Sequence, residues 1–309
     1  MTARINVLAF PGAPNLPIFA VFEQGYFESE GLEVGFTTTP SSVFQFEQFG
    51  AGACDVVFTA FDNIVAYGEG QGAAKIDNGA DFRVVMGASQ VELSAVVAPD
   101  VKTATDLKGK SLALDAVGTG FAFVLYAMLE KLGLPKGDYK PIGVGATPER
   151  WQSVKDGQHA GTISIEPFTS IARAAGFGVL ARSTDVFPVY QGGVVAARAS
   201  WLAKHSDEMS RFIRAYLRGL RWTLDPANRD DAAKLLLARM PEIKPGVVGA
   251  VLNSVLSERS GLTPDGAILR DGMKTVLELR SRYGSGAKAL TDIDKYLDLS
   301  IYTQAKTTV

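Results

Sequence analysis

The sequence contains little of the chemistry on which metal sites and many enzyme active sites depend. Among its 309 residues are one cysteine, Cys54, and two histidines, His159 and His205. A single cysteine cannot form an intramolecular disulfide, and this set is too small for a structural zinc site of the usual cysteine and histidine type. We therefore expect neither a metal ion nor a cofactor.

A strong net charge and long apolar runs are also missing. The formal net charge is −2, which gives no electrostatic reason to expect a nucleic acid or an anionic membrane surface as a partner. No apolar run approaches the roughly 20 residues that a membrane helix needs. With 47% hydrophobic and 21% charged residues, the composition indicates a globular protein of one large domain or two of ordinary size.

A secretion signal is not recognisable either. The first residues, "MTARINVLAF", lack the basic region, the apolar stretch and the small-residue cleavage site of a signal peptide. The chain therefore belongs to a cytoplasmic protein, or it is the mature form of an exported one with an initiator Met. The sequence alone does not separate these two possibilities.

Apolar residues occur with alternating strand and helix periodicity. Strand-like runs such as "INVLAF", "LEVGFTTT" and "CDVVFTA" are separated by helical segments, the first of them from about Leu16 to Phe27. The pattern restarts at "LKGKSLALDA", and from Trp201 onward helices dominate. This predicts an α/β fold with largely parallel strands in two lobes. The first lobe is discontinuous, because it starts the chain and takes back the C-terminal part.

Several segments follow one another in a family-specific order: "PIFAVFEQGYFESEGLEV", "FGAGACDVVFTA", "DLKGKSLAL", "AMLEKLGL", "IEPFTSIARAAG" and "FIRAYLRGLRWTLDPANRDDAAKLL". Through them the chain, from about Ile5 to Leu237, resembles the solute-binding proteins of ABC importers that serve sulfonates, nitrate, taurine and thiamine precursors. The resemblance implies a two-lobed, periplasmic-binding-protein-like type II fold with a helical C-terminal part. Lobe 1 would comprise residues 1–90 and 193–309 and lobe 2 residues 91–192, joined by a two-strand hinge near residues 88–91 and 192–195.

The resemblance also implies a function. A protein of this kind binds a small-molecule ligand in the cleft between its lobes and delivers it to an ABC transporter permease. We expect a periplasmic monomer without catalytic residues, with the cytoplasm as the alternative location. The other hypothesis is a cytoplasmic enzyme of the same fold that acts on a small aromatic or pyrimidine-type substrate.

The candidate ligand-binding residues lie where strands end and helices begin. Free backbone N–H groups and the positive end of the helix dipole favour an anion or a polar acceptor at such places. Crevices at the carboxyl ends of strands are also the usual ligand sites of α/β folds. The candidates are Gly12, Ala13, Asn15, Thr39, Ser41, Ser42, Thr59, Phe61, Asp62, Ser89, Gly118, Thr119, Gly120, Phe121, Glu166, Phe168 and Tyr190, with Pro14 and Asn63 beside them.

Several candidates have a structural explanation too. The Gly-Thr-Gly before the helix that starts at Gly120 is a common capping arrangement and matches no nucleotide-binding fingerprint. Asp62 and Glu166 can cap their own helices. The phenylalanines are more often core residues than aromatic clamps, and Tyr190 can line the cleft or mark the return crossing between lobes.

None of these loops carries Arg or Lys. Bidentate clamping of a doubly charged carboxylate or phosphate is therefore not expected. Two ligand classes stay open: a singly charged, sulfonate-like anion held by helix N-termini and hydroxyls, and a small heteroaromatic molecule that pairs with Asp62 or Glu166.

The missing signal peptide is the one feature that favours the enzyme hypothesis, since a cytosolic protein would have no importer to serve, and Cys54 is the nucleophile to consider. A desulfinase of this fold uses a cysteine nucleophile in its cleft, but Cys54 precedes the buried run "DVVFTA", where a small structural residue is expected. No basic residue follows closely enough in sequence to lower the pKa of its thiol. Sequence therefore favours a structural role for Cys54.

Overall fold

A computed structural model describes residues 2–309. Within them the strands are β1 Ala3–Ala9, β2 Leu32–Thr38, β3 Val56–Ala60, β4 Phe82–Ser89, β5 Ser94–Val97, β6 Ser111–Leu114, β7 Lys140–Gly143, β8 Gly161–Ser164, β9 Gly178–Arg182 and β10 Gly193–Arg198. The helices are α1 Leu16–Glu23, α2 Tyr26–Ser29, α3 Ser42–Gly50, α4 Phe61–Gly68, α5 Gly120–Lys131, α6 Thr147–Lys155, α7 Phe168–Ala174, α8 Ala199–Leu202, α9 Ser206–Leu224, α10 Arg229–Arg239, α11 Pro245–Val255, α12 Arg270–Tyr283 and α13 Ser300–Lys306.

The strands form two five-stranded sheets of matching design. The first sheet has the order β2-β1-β3-β10-β4 and the second the order β7-β6-β8-β5-β9. In each sheet one strand, β10 or β5, runs antiparallel to its neighbours, and the others are parallel to one another. The α/β class, the largely parallel strands and the two-lobed architecture are therefore confirmed.

The chain passes between the two sheets twice, from β4 to β5 and from β9 to β10, and the strand that follows each crossing is the antiparallel one. The chain leaves the first sheet after Ser89 at the end of β4 and returns to it at Gly193, where β10 begins. Ser89 and Gly193 are paired in the ladder, and Gly192 donates a backbone hydrogen bond to Gln90 (3.0 Å). The two crossings thus run side by side, as a two-strand hinge requires. The residue boundaries of the lobes stay a prediction.

The first helical segment is interrupted rather than continuous. Gly25 has φ 64°, in the left-handed region that favours glycine, and divides the predicted helix into α1 and α2. Gly31, with φ 68°, follows α2 in the same left-handed region and turns the chain into β2.

The C-terminal helices cover one face of the first sheet. The apolar positions of α9, which include Phe212, Ile213, Leu217 and Leu220, are fully buried, as the helical spacing predicts. This helix packs against α1 so closely at Gly219 that an added Cβ would lie 2.4 Å from a methyl carbon of Val21. The packing fixes the start of α1, and with it the loop after β1.

Helix α12 packs on both sides of the molecule, against α4 beside the first sheet and against α5 beside the second. A hydrophobic cluster is continuous across this junction, with Phe61 and Tyr296 on one side and Phe123 and Tyr126 on the other. The two sheets therefore share a buried contact in addition to their hinge. Among residues 2–309, no helix is long and apolar enough to span a membrane.

Candidate functional site

A pocket lies between the two sheets, at the carboxyl ends of their parallel strands. Its empty volume, with the open mouth included, is about 810 Å³. Residues that follow β1, β3, β6, β7 and β8 line it, together with the two crossings. The lining consists of Phe10, Gly12, Pro14, Asn15, Phe58, Thr59, Ala60, Asn63, Ala88, Ser89, Val91, Asp115, Thr119, Gly120, Phe121, Thr147, Arg150, Ile165, Gly192, Gly193 and Val194.

On the side of the first sheet, the polar lining groups are held by local hydrogen bonds. The side chain of Asn15 donates to the carbonyl of Phe10 (2.8 Å), and that of Asn63 donates to the hydroxyl of Thr59 (3.0 Å). All three side chains are buried. Their orientations are thus fixed before a ligand arrives.

On the side of the second sheet, the loop between β6 and α5 forms the wall. Thr119 precedes α5 in an extended conformation, and its hydroxyl donates to the carbonyl of Ala116 (3.0 Å). Gly120 approaches Asp62 so closely that an added Cβ would lie 2.4 Å from the Cβ of Asp62. Only glycine allows the loop to come this near to α4.

The lining includes one cation, Arg150, on the first turns of α6. Its Nη1 donates to the carbonyl of Gly145 (2.7 Å), and its Nη2 donates to the hydroxyl of Thr147 (2.9 Å) and the carbonyl of Ile163 (3.1 Å). Nε donates to the hydroxyl of Thr162 (3.2 Å). Every acceptor is neutral, and one of the two Nη1 hydrogens has no acceptor among residues 2–309.

Burial has an electrostatic consequence for Arg150. The side chain is only 3% exposed, and this loss of solvent lowers the pKa of its guanidinium to about 10, while the charge of Asp115 acts in the opposite direction. The group therefore stays cationic at neutral pH. Asp115 also lines the pocket, but it forms no ion pair with Arg150 within 4 Å and instead accepts hydrogen bonds from the backbone N–H of Ser42 (3.1 and 3.2 Å).

Arg150 was not among the sequence candidates, and it changes the argument drawn from missing basic residues. The candidate loops indeed carry no Arg or Lys, but this Arg reaches the pocket from the body of a helix. Thr147 and Pro148 mark the start of that helix after the end of a strand. Arg150 lies one turn into the helix, and this position was the signal in the sequence that could have identified it.

Backbone hydrogen bonds join the two sheets around the pocket. Ala13 donates to the carbonyl of Glu166 (2.9 Å), and Ala146 donates to the carbonyl of Pro40 (2.8 Å). Together with the contact between Ser42 and Asp115, they show a closed arrangement in which both sheets touch across the cleft.

Asp62 and Arg280 form a buried ion pair beside the pocket. Both side chains are about 1% exposed, and Arg280 donates through Nε to Oδ1 (2.7 Å) and through Nη2 to Oδ2 (2.5 Å) of Asp62. Nη2 also donates to the carbonyl of Gly118 (3.0 Å), on the loop of the second sheet. The carboxylate of Asp62 is thus occupied by Arg280, and neither hypothesis for it, a cap or a ligand contact, included this partner.

The structure brings some of the sequence candidates into the pocket and places others elsewhere. Those that line it are Gly12, Asn15, Thr59, Ser89, Thr119, Gly120 and Phe121, together with Pro14 and Asn63. Glu166 and Tyr190 face two smaller adjoining cavities. Outside the lining lie Ala13, Thr39, Ser41, Ser42, Phe61, Asp62, Gly118 and Phe168. Direct ligand contact by any candidate stays a prediction.

Several of the candidates outside the lining have structural partners. Ser41 caps α3, because its hydroxyl accepts from the N–H of Phe44 (3.1 Å). Phe61 packs edge-on against Tyr296, with ring centroids 6.0 Å apart, and Phe168 belongs to a small cluster with Trp151. Of the three candidate phenylalanines, Phe61, Phe121 and Phe168, only Phe121 lines the pocket. Two phenylalanines that were not candidates, Phe10 and Phe58, line it as well.

Cys54 lies at the other end of the first sheet. It precedes β3, whereas the pocket residues Thr59 and Ala60 end that strand. Burial raises the pKa of its thiol to about 11, despite the nearby charge of Arg198. The thiol is therefore protonated at neutral pH and lies roughly 15 Å from the pocket at the usual rise per strand residue. In the described part of the chain, no group of three or more His, Cys, Asp or Glu residues is placed to hold a metal.

A family model described as the NMT1-like family matches residues 3–237. No curated protein sequence matches the chain.

Solved structures share the fold over almost their whole length. A Bordetella bronchiseptica RB50 protein is 23% identical, with a TM-score of 0.79 over 99% of this chain and 98% of its own. The periplasmic nitrate-binding protein NrtA from Synechocystis PCC 6803 is 11% identical, with a TM-score of 0.80 over 100% and 89%. The alkanesulfonate-binding protein SsuA from Xanthomonas axonopodis pv. citri, bound to MOPS, is 16% identical, with a TM-score of 0.73 over 98% and 97%.

Proposed function

From the premise that the chain belongs to the NMT1-like family, we propose that it is the solute-binding component of an ABC importer. It takes a small organic anion into the pocket between its two sheets and delivers it unchanged to a permease. Residues 1–90 with 193–309 and residues 91–192 are the two lobes, which rotate about the hinge to close over the ligand.

The observation that carries this proposal is the environment of Arg150. An isolated buried charge is costly unless a counter-charge or a full set of hydrogen bonds compensates it. Within the described part of the chain, Arg150 has only neutral acceptors and keeps one Nη1 hydrogen without an acceptor, and it lines the pocket. Asp115 acts on Arg150 only from beyond ion-pair distance, and an anionic ligand group would supply both a direct counter-charge and the missing acceptor.

The rest of the lining favours an apolar body behind that anionic group. Phe10, Phe58, Phe121 and Ile165 contribute apolar surface from both sheets. A ligand with one anionic end and an apolar remainder would therefore bury its apolar part while its charge faces Arg150. Among the two ligand classes left open by the sequence, this favours a sulfonate-like anion over a neutral heteroaromatic molecule.

Two considerations support binding without turnover. The only thiol of the chain is protonated and remote from the pocket, and two of the three solved structures named above are of binding proteins. Delivery to an importer places the protein outside the cytoplasmic membrane, in the periplasm. We propose a monomer that meets the permease with both lobes closed on the ligand.

Calorimetric titration with a ligand panel tests the proposal. The panel contains methanesulfonate, 1-butanesulfonate, benzenesulfonate, nitrate, succinate and a neutral aminopyrimidine, and any bound compound is recovered and identified by mass spectrometry. We expect 1-butanesulfonate or benzenesulfonate to bind and to be recovered intact. Binding of the aminopyrimidine alone, or recovery of a product, would contradict the proposal.

Variants of Arg150 separate charge from shape. Arg150→Lys keeps the charge and loses the bidentate geometry, whereas Arg150→Met removes the charge and keeps an unbranched side chain. We expect the affinity for the bound sulfonate to fall about tenfold or more in Arg150→Met and less in Arg150→Lys. Arg239→Met, at an exposed site on α10, is the control and should leave the affinity unchanged. Equal affinities in all folded variants would show that Arg150 does not hold the ligand.

A further inference from the structure

Glu166 is a buried acid at the seam between the two sheets. Its side chain is 8% exposed, and its carboxylate accepts hydrogen bonds from the hydroxyl (2.9 Å) and the N–H (3.3 Å) of Ser170. Within residues 2–309 it belongs to no ion pair. A carboxylate in such a place is poorly compensated for the water it has lost.

The seam that buries Glu166 is made by both lobes. Its backbone carbonyl accepts from Ala13, and its side chain faces a small cavity with Pro14, Val255 and Leu262, which come from the first lobe. Helix α7, which follows Glu166, packs against α11 of the first lobe. Separation of the lobes would therefore return the carboxyl group to water.

The charged groups around this cavity do not favour the ionised form. From the hinge, Glu92 faces the same cavity and is itself paired with Arg182 (3.1 Å). Arg173, on the helix α7 that follows Glu166, acts in the opposite direction, but its effect is smaller than that of burial. The residues of α11 and the following loop that line the cavity are uncharged: Ser254, Val255, Ser260, Gly261 and Leu262.

We propose that closure of the lobes is coupled to protonation of Glu166, so that the protein holds its ligand in acidic solution and releases it as the pH rises. The coupling rests on the proposed function, since it adjusts the affinity of the same interlobe pocket. It needs no contact between Glu166 and the ligand, because closure alone buries the carboxyl group.

The sign of this pH dependence follows from the two environments of the Glu166 carboxyl group, which is in water when the lobes are open and buried when they are closed. Burial raises the pKa of Glu166 to about 7 in the closed arrangement, against 4.5 for a glutamate in water. Between these pH values closure takes up a proton, and above about 7 closure must bury a charge. Closure is therefore most favourable at the acid end, and coupling to one proton would weaken ligand binding roughly 30-fold between pH 5.5 and 8.

Proton uptake on binding tests this coupling directly. Titration of the wild type with 1-butanesulfonate at pH 6, in buffers of different ionisation enthalpy, should show net proton uptake of up to one proton per ligand, contributed by the protein that is open before the ligand is added. The sulfonate stays ionised at this pH and contributes none. Glu166→Gln, which imitates the protonated acid, should take up none and bind equally well at pH 5.5 and 8. The control Glu242→Gln, at an exposed site, should behave as the wild type. Uptake that persists in Glu166→Gln, or that is absent in the wild type, would overturn the proposal.

A second readout keeps the coupling distinguishable from the proposed function. If the sulfonate does not bind, the proposed ligand is wrong, but closure can still be followed by small-angle X-ray scattering of the protein alone. The radius of gyration of the wild type should rise from pH 5.5 to pH 8.5, and that of Glu166→Gln should not.

If Glu166→Gln does not fold, Ser170→Ala replaces it. The hydrogen bonds from Ser170 lower the pKa of Glu166, so their loss should shift the midpoint of the opening transition to higher pH. The same response in variant and wild type, or no response in either, would overturn the coupling.

Discussion

The guanidinium of Arg280 lies 2.7 Å (Nε) and 2.5 Å (Nη2) from the two carboxylate oxygens of Asp62, and both side chains are buried. The residues are 218 positions apart in sequence. Because Arg280 also donates to the carbonyl of Gly118, one side chain connects α12, α4 and the pocket loop of the second sheet. The ion pair thus contributes to holding that loop against the first lobe.

Removal of one partner of this pair should be strongly destabilising. Asp62→Asn or Arg280→Gln leaves the other charge buried without compensation, which costs about 3–5 kcal/mol of unfolding free energy. Urea unfolding measures the loss. Arg270→Gln breaks an exposed pair with Asp294 and should leave the unfolding free energy unchanged within error. Losses of similar size at both pairs would contradict the role assigned to burial.

The two glycines that flank Thr119 should respond differently to alanine. A Cβ at Gly120 would meet Asp62 at 2.4 Å, whereas a Cβ at Gly118 would meet no atom within 4 Å. Overpacking of this kind costs about 1–3 kcal/mol, and it should appear mainly as a more open protein. We expect scattering to show a larger radius of gyration for Gly120→Ala than for Gly118→Ala. Equal radii would show that the contact at Gly120 does not limit closure.

A second matched pair of glycines tests the packing of the C-terminal helices. Gly219→Ala would place a Cβ 2.4 Å from Val21 and 2.6 Å from the carbonyl oxygen of Pro17, and should lower the melting temperature. Gly249→Ala lies on α11 with no atom within 4 Å of the added Cβ. It should raise the melting temperature slightly, because alanine favours a helix over glycine. The reverse order would contradict the observed contact of α9 with α1.

The buried thiol should be inert. Because burial raises the pKa of Cys54 to about 11, the thiolate is scarce at pH 8, and iodoacetamide should label the folded protein far more slowly than the urea-unfolded chain. Cys54→Ala should bind the same ligand with unchanged affinity. Rapid labelling of the folded protein, or loss of binding in this variant, would return Cys54 to consideration as a functional residue.

Local patterns predicted much of this fold because they determine much of it. The run "LEVGFTTT" became β2, and "CDVVFTA" contains β3. The family-specific order of segments predicted two lobes, and the two sheets confirm them. The break at Gly25 was not predicted, because apolar residues at helical spacing continue on both sides of it.

The site was harder to predict because it depends on contacts between distant segments. The loops at strand ends were found, since parallel strands bring them together. Arg150 was missed because a charge on a helix is usually solvated, and nothing in the local sequence shows that this one is buried. The partner of Asp62 could not be predicted, because Arg280 comes from a helix 218 residues away. Pairing of this kind is a property of tertiary packing.

The central claim is that two lobes hold a small organic anion at Arg150. Anomalous diffraction from crystals grown with 2-bromoethanesulfonate tests it most directly, because bromine and sulfur locate the two ends of the probe separately. We predict the sulfur within hydrogen-bonding reach of the Arg150 guanidinium and the bromine beside Phe58 or Phe121. Anomalous peaks outside the interlobe pocket, or the bromine rather than the sulfonate at Arg150, would contradict the account.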